Sequence, residues 1–457
     1  MSVTPSSARH DPRRRAPADP VSRLAAAAAA ALAVAGLAAC DASGGSTATD
    51  PRLEPTGVPV RFDAARHEDW AAWTAATREH LERFRVALDP ASRETEIEAA
   101  TPFERGPAAG CEAVPGPRRG VVLAHGLSDV PAAMGDLAGA FAERCFVARS
   151  ILLPGHGARP AELVDVAADD WLAAMRFAAT DLAGEVDEVW LGGFSLGGLV
   201  ATRLAHEIEA GGADARVPLG GVFAFSPAWA LEREVLLDRT PWLRRVLTWL
   251  DVDPPDDPWR FEAIPVNALA EVQLLARSTR EALAGRALEA PVFLAQSADD
   301  GVVDAAANRA LFADAVTHPK SRLLRYADRP AVTSDARVLH RPGVLPEERV
   351  LSYAHPAVHV APDNPHYGAA GDYRNCHPNL GNRDAEAVER CLAIDVPWRG
   401  ETFGAATARY DGDTLDTLAR LTFNPRFDDL VATIDRFLAS LDAEEDRLAA
   451  LGREAAR

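Results

Sequence analysis

From residue 120 onward, short apolar runs alternate with stretches whose apolar residues recur at helical spacing. The runs Gly120–Ala124, Phe146–Leu152, Glu188–Leu191, Gly221–Phe225, Pro291–Gln296 and Ser321–Tyr326 predict strands. Strands separated by helices predict an α/β architecture with a mostly parallel sheet flanked by helices. Before them, residues 61–117 predict a helical segment: Trp70, Trp73, Leu81, Phe84 and Val86 are spread among charges as on an amphipathic helix. Two segments interrupt the alternation. Residues 227–289 carry Trp242, Leu243, Val246, Leu247, Trp249 and Leu250, broken by Pro254, Pro255 and Pro258, and predict an inserted helical cap. Residues 331–400 are rich in Pro, Asn, His and Gly with little periodicity, and predict a loop-rich insertion, a length more often functional or disulfide-tied than idle. The core is thereby divided into 118–226 and 290–330. Residues 401–457 are expected to add a last strand and helix, with apolar residues at helical spacing from Asp428 to Leu441.

The first residues differ in kind from the rest. Arg13, Arg14, Arg15 and Arg23 precede an alanine-rich apolar run, Leu24 to Ala39, that ends in Leu37-Ala38-Ala39-Cys40. The run is too short and too poor in large side chains for a spanning helix. Residues 1–39 resemble a lipoprotein signal peptide, with Cys40 as the lipidated mature N-terminus, and residues 40–60, rich in Gly, Ser, Thr and Pro, resemble a flexible tether. An ordinary secretory signal is the plainer alternative. The lipoprotein reading predicts an exported bacterial protein held at a membrane surface, facing periplasm or exterior. The net charge of −19 becomes about −22 without residues 1–39, which argues against nucleic-acid binding, since that needs basic patches. Past Cys40, four cysteines remain: Cys111, Cys145, Cys376 and Cys391. In an exported protein an even number suggests two disulfides, and the two short-range pairings are the simplest of three connectivities. Free, buried thiols are the cytosolic alternative.

Candidate chemistry centres on Gly193-Phe194-Ser195-Leu196-Gly197. A strand-like run leads in and a helix-capable run leads out, the sequence form of a strand-to-helix elbow that presents a serine oxygen. Gly193 and Gly197 suit the close backbone approach such a turn requires. Serine needs a base and an orienting acid. Asp300, in the loop after the run ending at Gln296, is the candidate acid, with Asp299 the runner-up and helix capping the plain alternative for both. The segment before the last helix holds no histidine, so the base is sought in the insertion, among His340, His355, His359, His366 and His377. Leu351-Ser352-Tyr353-Ala354 reads as a short strand that delivers His355, the first candidate; His359 is the second. Two backbone N–H groups should receive the oxyanion: Leu196, after the nucleophile, and Leu127, after the strand and His125-Gly126. Leu152-Leu153-Pro154-Gly155-His156-Gly157 reads as a structural loop at the site's mouth. The His/Cys-rich stretch from 355 to 391 matches no compact zinc spacing, and there is neither a phosphate-cradling glycine loop nor a dinucleotide fingerprint. No metal or cofactor is expected.

With His125-Gly126-Leu127, Pro154-Gly155-His156-Gly157, Asp170-Trp171, the Ser195 elbow and the Asp300 turn, the chain resembles an α/β-hydrolase, and more narrowly the monoacylglycerol lipase, lysophospholipase and carboxylesterase group. The insertion, with Pro362-Asp363-Asn364-Pro365-His366-Tyr367-Gly368 and Tyr373-Arg374-Asn375-Cys376, looks like one shared by a subset of exported bacterial members. The resemblance implies hydrolysis of a small-molecule or lipid ester through an acyl-serine, under a helical cap. A peptidase of the proline-iminopeptidase kind, with cap acids Asp251, Asp253, Asp256 and Asp257 receiving a free amine, and a non-catalytic binding lipoprotein are the alternatives.

Overall fold

The computed structural model describes residues 50–212, 216–329, 333–376, 385–410, 414 and 417–455. Cys40, the expected leader and the tether up to Thr49 lie outside the described residues, as does His377. Eight strands form one sheet: β1 (Phe103–Arg105), β2 (Arg119–Ala124), β3 (Phe146–Ile151), β4 (Glu188–Phe194), β5 (Leu219–Phe225), β6 (Val292–Ser297), β7 (Arg322–Ala327) and β8 (Val338–Pro342). Their order is β1-β3-β2-β4-β5-β6-β7-β8. Only β1 runs antiparallel to its neighbour. The central strands are continuous apolar runs because helices cover both faces.

Strand periodicity divides the apolar side chains between two cores. In β2, Val122 and Ala124 face the core built with the helices Ala168–Leu182, Leu196–Glu209 and Val266–Gly285, which carries Trp171, Leu199 and Leu275. Val121 and Leu123 face the other, which holds Phe141, Trp190, Phe223, Phe293 and Phe437, the last from the terminal helix Phe427–Ala455. The helix Trp70–Phe84, capped by the Asp69 carboxylate on the Ala72 N–H, buries Trp73 and Leu81. Residues past Pro51 do not hang free: Thr56 Oγ1 donates to Glu162 Oε1 (3.0 Å), and the stretch Pro55–Arg61 shares a cavity wall with Ala161, Glu162 and Asp165.

Three segments differ from the sequence expectation. The insertion 331–400 contains the sheet's eighth strand, β8, and the helix Ala385–Ala393, so it is not all loop. The described residues of 401–457 add no strand to the main sheet; Ala419–Arg420 pairs instead with Arg399–Gly400 in a two-residue ladder. The cap segment 227–289 is only partly helical: Glu234–Leu237 and Thr240–Leu243 are single turns, Trp249–Val252 pairs antiparallel with Ala263–Pro265, and Val266–Gly285 packs into the core. The prolines at 254, 255 and 258 fall in the loop of that ribbon, where no ladder N–H is lost.

Both short-range disulfides form, Cys111–Cys145 and Cys376–Cys391. The second ties the insertion to its own helix. Among the described residues no helix is long and apolar enough to cross a membrane.

Candidate active site

The site lies at the carboxyl ends of the central strands, where the order reverses around β2, the usual crevice of open α/β sheets. β4 ends at Phe194, Ser195 follows with φ 51 and ψ −111, and the helix Leu196–Glu209 starts at once. This strained turn is held by backbone bonds: Ser195 N–H donates to Phe225 C=O (2.9 Å), Ala228 N–H to Ser195 C=O (3.0 Å), and Gly197 N–H to His125 C=O (3.1 Å). Two glycines are obligatory. A Cβ at Gly197 would sit 1.9 Å from the Ala124 carbonyl oxygen, and one at Gly193 would sit 2.4 Å from the same atom.

β6 delivers Asp300. Its Oδ1 accepts the N–H groups of Val302 (2.8 Å) and Val303 (2.9 Å), and its Oδ2 meets His355 Nδ1 at 2.7 Å. Asp299 turns away to an ion pair with Arg409 (2.9 Å). The helix Ala305–Ala315 is capped by Asp304, so capping does not account for Asp300. His355 Nε2 lies 3.0 Å from Ser195 Oγ. With its Nδ1 proton committed to Asp300, Nε2 is the lone-pair nitrogen and accepts the Ser195 hydroxyl proton. All three side chains are buried.

His355 does not end a strand. Leu351–Ala354 is irregular, and His355 opens a short 3-10 turn, His355–Val358, with Pro356 next. His359, the second candidate base, stacks on the opposite side chain, Phe194 (centroids 4.2 Å apart), and makes no hydrogen bond to Ser195. Burial, with His355 adding, lowers its pKa to about 3, so it stays neutral. His366 Nε2 is paired with Asp257 (2.9 Å), and His340 lies on β8.

Of the two expected oxyanion donors, Leu196 directly follows the serine, and Leu127 lies in the turn after His125-Gly126. Leu196 occupies the first helical position, where an N–H has no intrahelical acceptor. Leu127 sits in the turn closed by Asp129 N–H on Gly126 C=O (3.2 Å), with Ser128 at φ 74. The Gly197-to-His125 bond ties this turn to the elbow. His125 orders the turn: its Nε2 accepts Leu153 N–H (3.1 Å), so its Nδ1–H donates to Gly126 C=O (2.8 Å). Burial holds its pKa well below the usual imidazole range. Trp171 Nε1–H donates to Pro154 C=O (3.0 Å), fixing the Pro154–Gly157 loop.

A polar layer joins cap and insertion above the turn. Phe261 N–H donates to Ser128 C=O (2.9 Å), and Asp257 receives both His366 Nε2 and Tyr367 Oη (2.8 Å). Asp257, a candidate for amine capture, is therefore already engaged. The cap residues Trp242, Val246, Leu247 and Leu250 are exposed; Trp242 is 62% and Val246 68% accessible. Among the described residues no group of His, Cys, Asp or Glu is arranged to hold a metal.

Burial pushes the Asp129 carboxyl up to about 7, with Asp257 adding and Arg260 and His355 opposing; burial likewise pushes Glu262 up to about 8, with Asp257 and Asp256 adding and Arg260 opposing. The folded chain thus keeps protons that the unfolded chain releases in the ordinary carboxylate range. Stability from these groups is present at low pH and falls as pH rises toward 7 and 8. Denaturant midpoints should decline over that window, and Asp129→Asn and Glu262→Gln should each flatten the decline. An unchanged slope in both variants would refute the assignment.

The sequence motifs did not disclose Glu401 and Arg420. Glu401 is fully buried and reaches both the base and the acid loop from 46 and 100 residues away. Its neighbours Arg399-Gly400-Glu401-Thr402 carry no motif.

Residues 115–327 match the family model described as serine aminopeptidase, S33. No curated protein matches the chain. Similar solved structures include one of two metagenome-derived lipolytic enzymes, LipS and LipT (22% identity, 50% of this chain and 88% of that one, TM-score 0.42). A monoacylglycerol lipase of Paleococcus ferrophilus is 20% identical over 49% of this chain and 87% of its own, with a TM-score of 0.40. A monoglyceride lipase of Saccharomyces cerevisiae is 13% identical over 50% and 82%, with a TM-score of 0.39. The mostly parallel sheet flanked by helices and the elbow after its fourth strand are those of the α/β-hydrolase fold, and residues 115–327 are similar to the matching family.

Proposed function

We propose that the chain is a carboxylic ester hydrolase that works through an acyl-serine. The observation that carries the reading is the continuous hydrogen-bonded relay from Ser195 Oγ through His355 to Asp300. Ser195 Oγ bonds to the ester carbonyl carbon while its proton passes to His355 Nε2. Asp300 fixes the imidazole and balances its cation. The N–H groups of Leu127 and Leu196 receive the oxyanion. Collapse breaks the bond to the leaving alkoxide, which takes the proton from His355. Water then repeats the sequence on the acyl-serine and releases the acid.

A lipid-like substrate presented at a surface agrees with the exposed apolar cap residues Val235, Trp242, Val246 and Leu250. An exported, lipid-anchored location is supported by the leader composition, Cys40 and the two disulfides, which persist in oxidising compartments.

The description of the matching family favours one rival, an aminopeptidase. Side-by-side turnover of p-nitrophenyl esters from acetate to palmitate and of amino-acid p-nitroanilides separates the two. Ester turnover with inert anilides is the expected result, and the chain-length optimum reports the acyl site. Anilide turnover alone would move the reaction to peptide bonds, and inertness toward both would overturn the hydrolase reading.

A further inference from the structure

The relay's two inner members come from segments far apart in sequence, and each ends in irregular backbone. Asp300 lies in a loop after β6, and His355 opens a 3-10 turn after an irregular stretch. Each stretch is pinned by an isolated bridge only, Val303 to Leu231 and Val350 to Arg399, several residues from the reacting side chain. Two buried groups touch both: the Ser297 hydroxyl, which accepts Asp299 N–H (3.0 Å) and donates to Tyr353 C=O (2.7 Å), and a carboxylate that bonds to the base residue itself. Glu401 Oε2 accepts the backbone N–H of His355 (2.9 Å) and that of Gly301 (3.1 Å), the residue after Asp300. Its Oε1 accepts Thr402 N–H (2.9 Å) and Phe403 N–H (3.2 Å).

The carboxylate's charge is met by Arg420, whose Nε donates to Oε1 (3.0 Å) and Nη2 to Oε2 (3.3 Å). Arg420 in turn lies 4.2 Å from the Phe403 ring centroid. Glu401 N–H donates to Ser352 Oγ (2.8 Å), itself bonded to Tyr410 Oη (2.7 Å), so the irregular stretch before the base is tied to the same residue. The contact to the acid loop is close: a Cβ on Gly301 would stand 2.6 Å from the Phe403 carbonyl oxygen. A buried carboxylate with every lone pair directed at fixed N–H donors is a rigid fixture, and charge-assisted bonds of this kind are about twice as strong as neutral ones.

We infer that Glu401 is the positioning residue of the relay, setting the backbone of the base and of the acid loop with one carboxylate. The inference rests on the Ser195–His355–Asp300 reading above. Glu401 touches no reacting atom; it acts by keeping His355 Nδ1 on Asp300 and Nε2 on Ser195. Glutamine at 401 offers one acceptor oxygen in place of two and carries no charge for Arg420: its NH₂ group turns either on the His355 and Gly301 N–H groups, which releases both clamped loops, or on those of Thr402 and Phe403, which loosens the turn that carries the side chain.

The test compares the full-length wild type with Glu401→Gln, Ser195→Ala and Asp170→Asn. Asp170 is a matched control, a buried carboxylate that also accepts two backbone N–H groups, from Phe62 and Ala167, and an arginine, Arg61. Two readouts are taken: kcat and KM on the best p-nitrophenyl ester, and the low-field proton resonance of the His355 Nδ1–H bond to Asp300. Glu401→Gln should lose kcat by about 100-fold with KM within about twofold, because small misplacements of reacting groups are costly. The low-field resonance should broaden or vanish in Glu401→Gln and persist in Ser195→Ala and Asp170→Asn, and Asp170→Asn should keep its kcat. A folded Glu401→Gln with wild-type kcat and an unchanged resonance, beside an inactive Ser195→Ala, overturns the inference and leaves the hydrolase reading standing. An active Ser195→Ala overturns the hydrolase reading itself. Should Glu401→Gln fail to fold, Glu401→Asp keeps the charge against Arg420 while shortening the reach, and full kcat in that variant overturns the inference equally.

Discussion

Ser195→Ala is expected to lower kcat/KM for the preferred ester by about 10⁶-fold and to abolish labelling by a fluorophosphonate. The loss is one of chemistry, not of fold. The Ser195 side chain gives up a single hydrogen bond, that to His355 Nε2. Its unusual backbone, φ 51, is equally unusual for alanine, since both residues carry a Cβ, so the strain of the elbow is unchanged. The bonds that hold the turn, from Ser195 N–H to Phe225 and from Ala228 N–H to Ser195, are backbone bonds and survive the substitution. The variant should therefore unfold at nearly the wild-type denaturant midpoint. Residual turnover within tenfold of wild type in a folded variant would show that another group performs the attack. The size of the effect follows from the relay acting as a unit: without the nucleophile, base and acid have nothing to activate, and what remains is binding and the oxyanion donors.

How far this site could be read in advance follows from how each residue is held. β2, β4, β5 and β6 are mostly continuous apolar runs because both faces of the sheet are covered, and such runs are visible in one dimension, as are the shorter apolar stretches of β3 and β7 around Arg149 and Arg325. β8 is an edge strand of Val-Leu-His-Arg-Pro, partly exposed along its length, and leaves no such trace. The ribbon in the cap is equally faint, with a register irregularity between Trp249 and Asp251 and three prolines in its loop. Ser195 and Asp300 sit where local geometry fixes them, a strand end followed by a tight turn, and local geometry writes a local signature. His355 is different. Its immediate context, an irregular stretch with Pro356 after it, gives no reason for an imidazole to be presented there. What presents it is the Glu401 carboxylate, 46 residues away, held in turn by Arg420. The base was reachable by elimination among five histidines, but its support is a non-local contact with no spacing rule.

Asp300→Asn is the second large effect expected, about 10⁴-fold in kcat, or roughly 5 kcal/mol of transition-state stabilisation. The direction of the amide decides the outcome. Val302 N–H and Val303 N–H both donate to Asp300 Oδ1 and are fixed by the backbone of the loop. In the asparagine variant these two donors claim the carbonyl oxygen, and the NH₂ group is left facing His355 Nδ1. An N–H donor there requires Nδ1 to accept, which moves the ring proton to Nε2, the nitrogen 3.0 Å from Ser195 Oγ. The imidazole then presents a proton to the hydroxyl from which it should take one. Shape and packing are preserved, so KM should change little, and the low-field Nδ1–H resonance should disappear because that proton is no longer there. Fluorophosphonate labelling should be slowed but retained, since Ser195 is intact, and this separates the variant from Ser195→Ala, where no labelling occurs at all. A loss smaller than tenfold would mean that Asp300 does not set the tautomer of the base, and the relay drawn here would lose its acid.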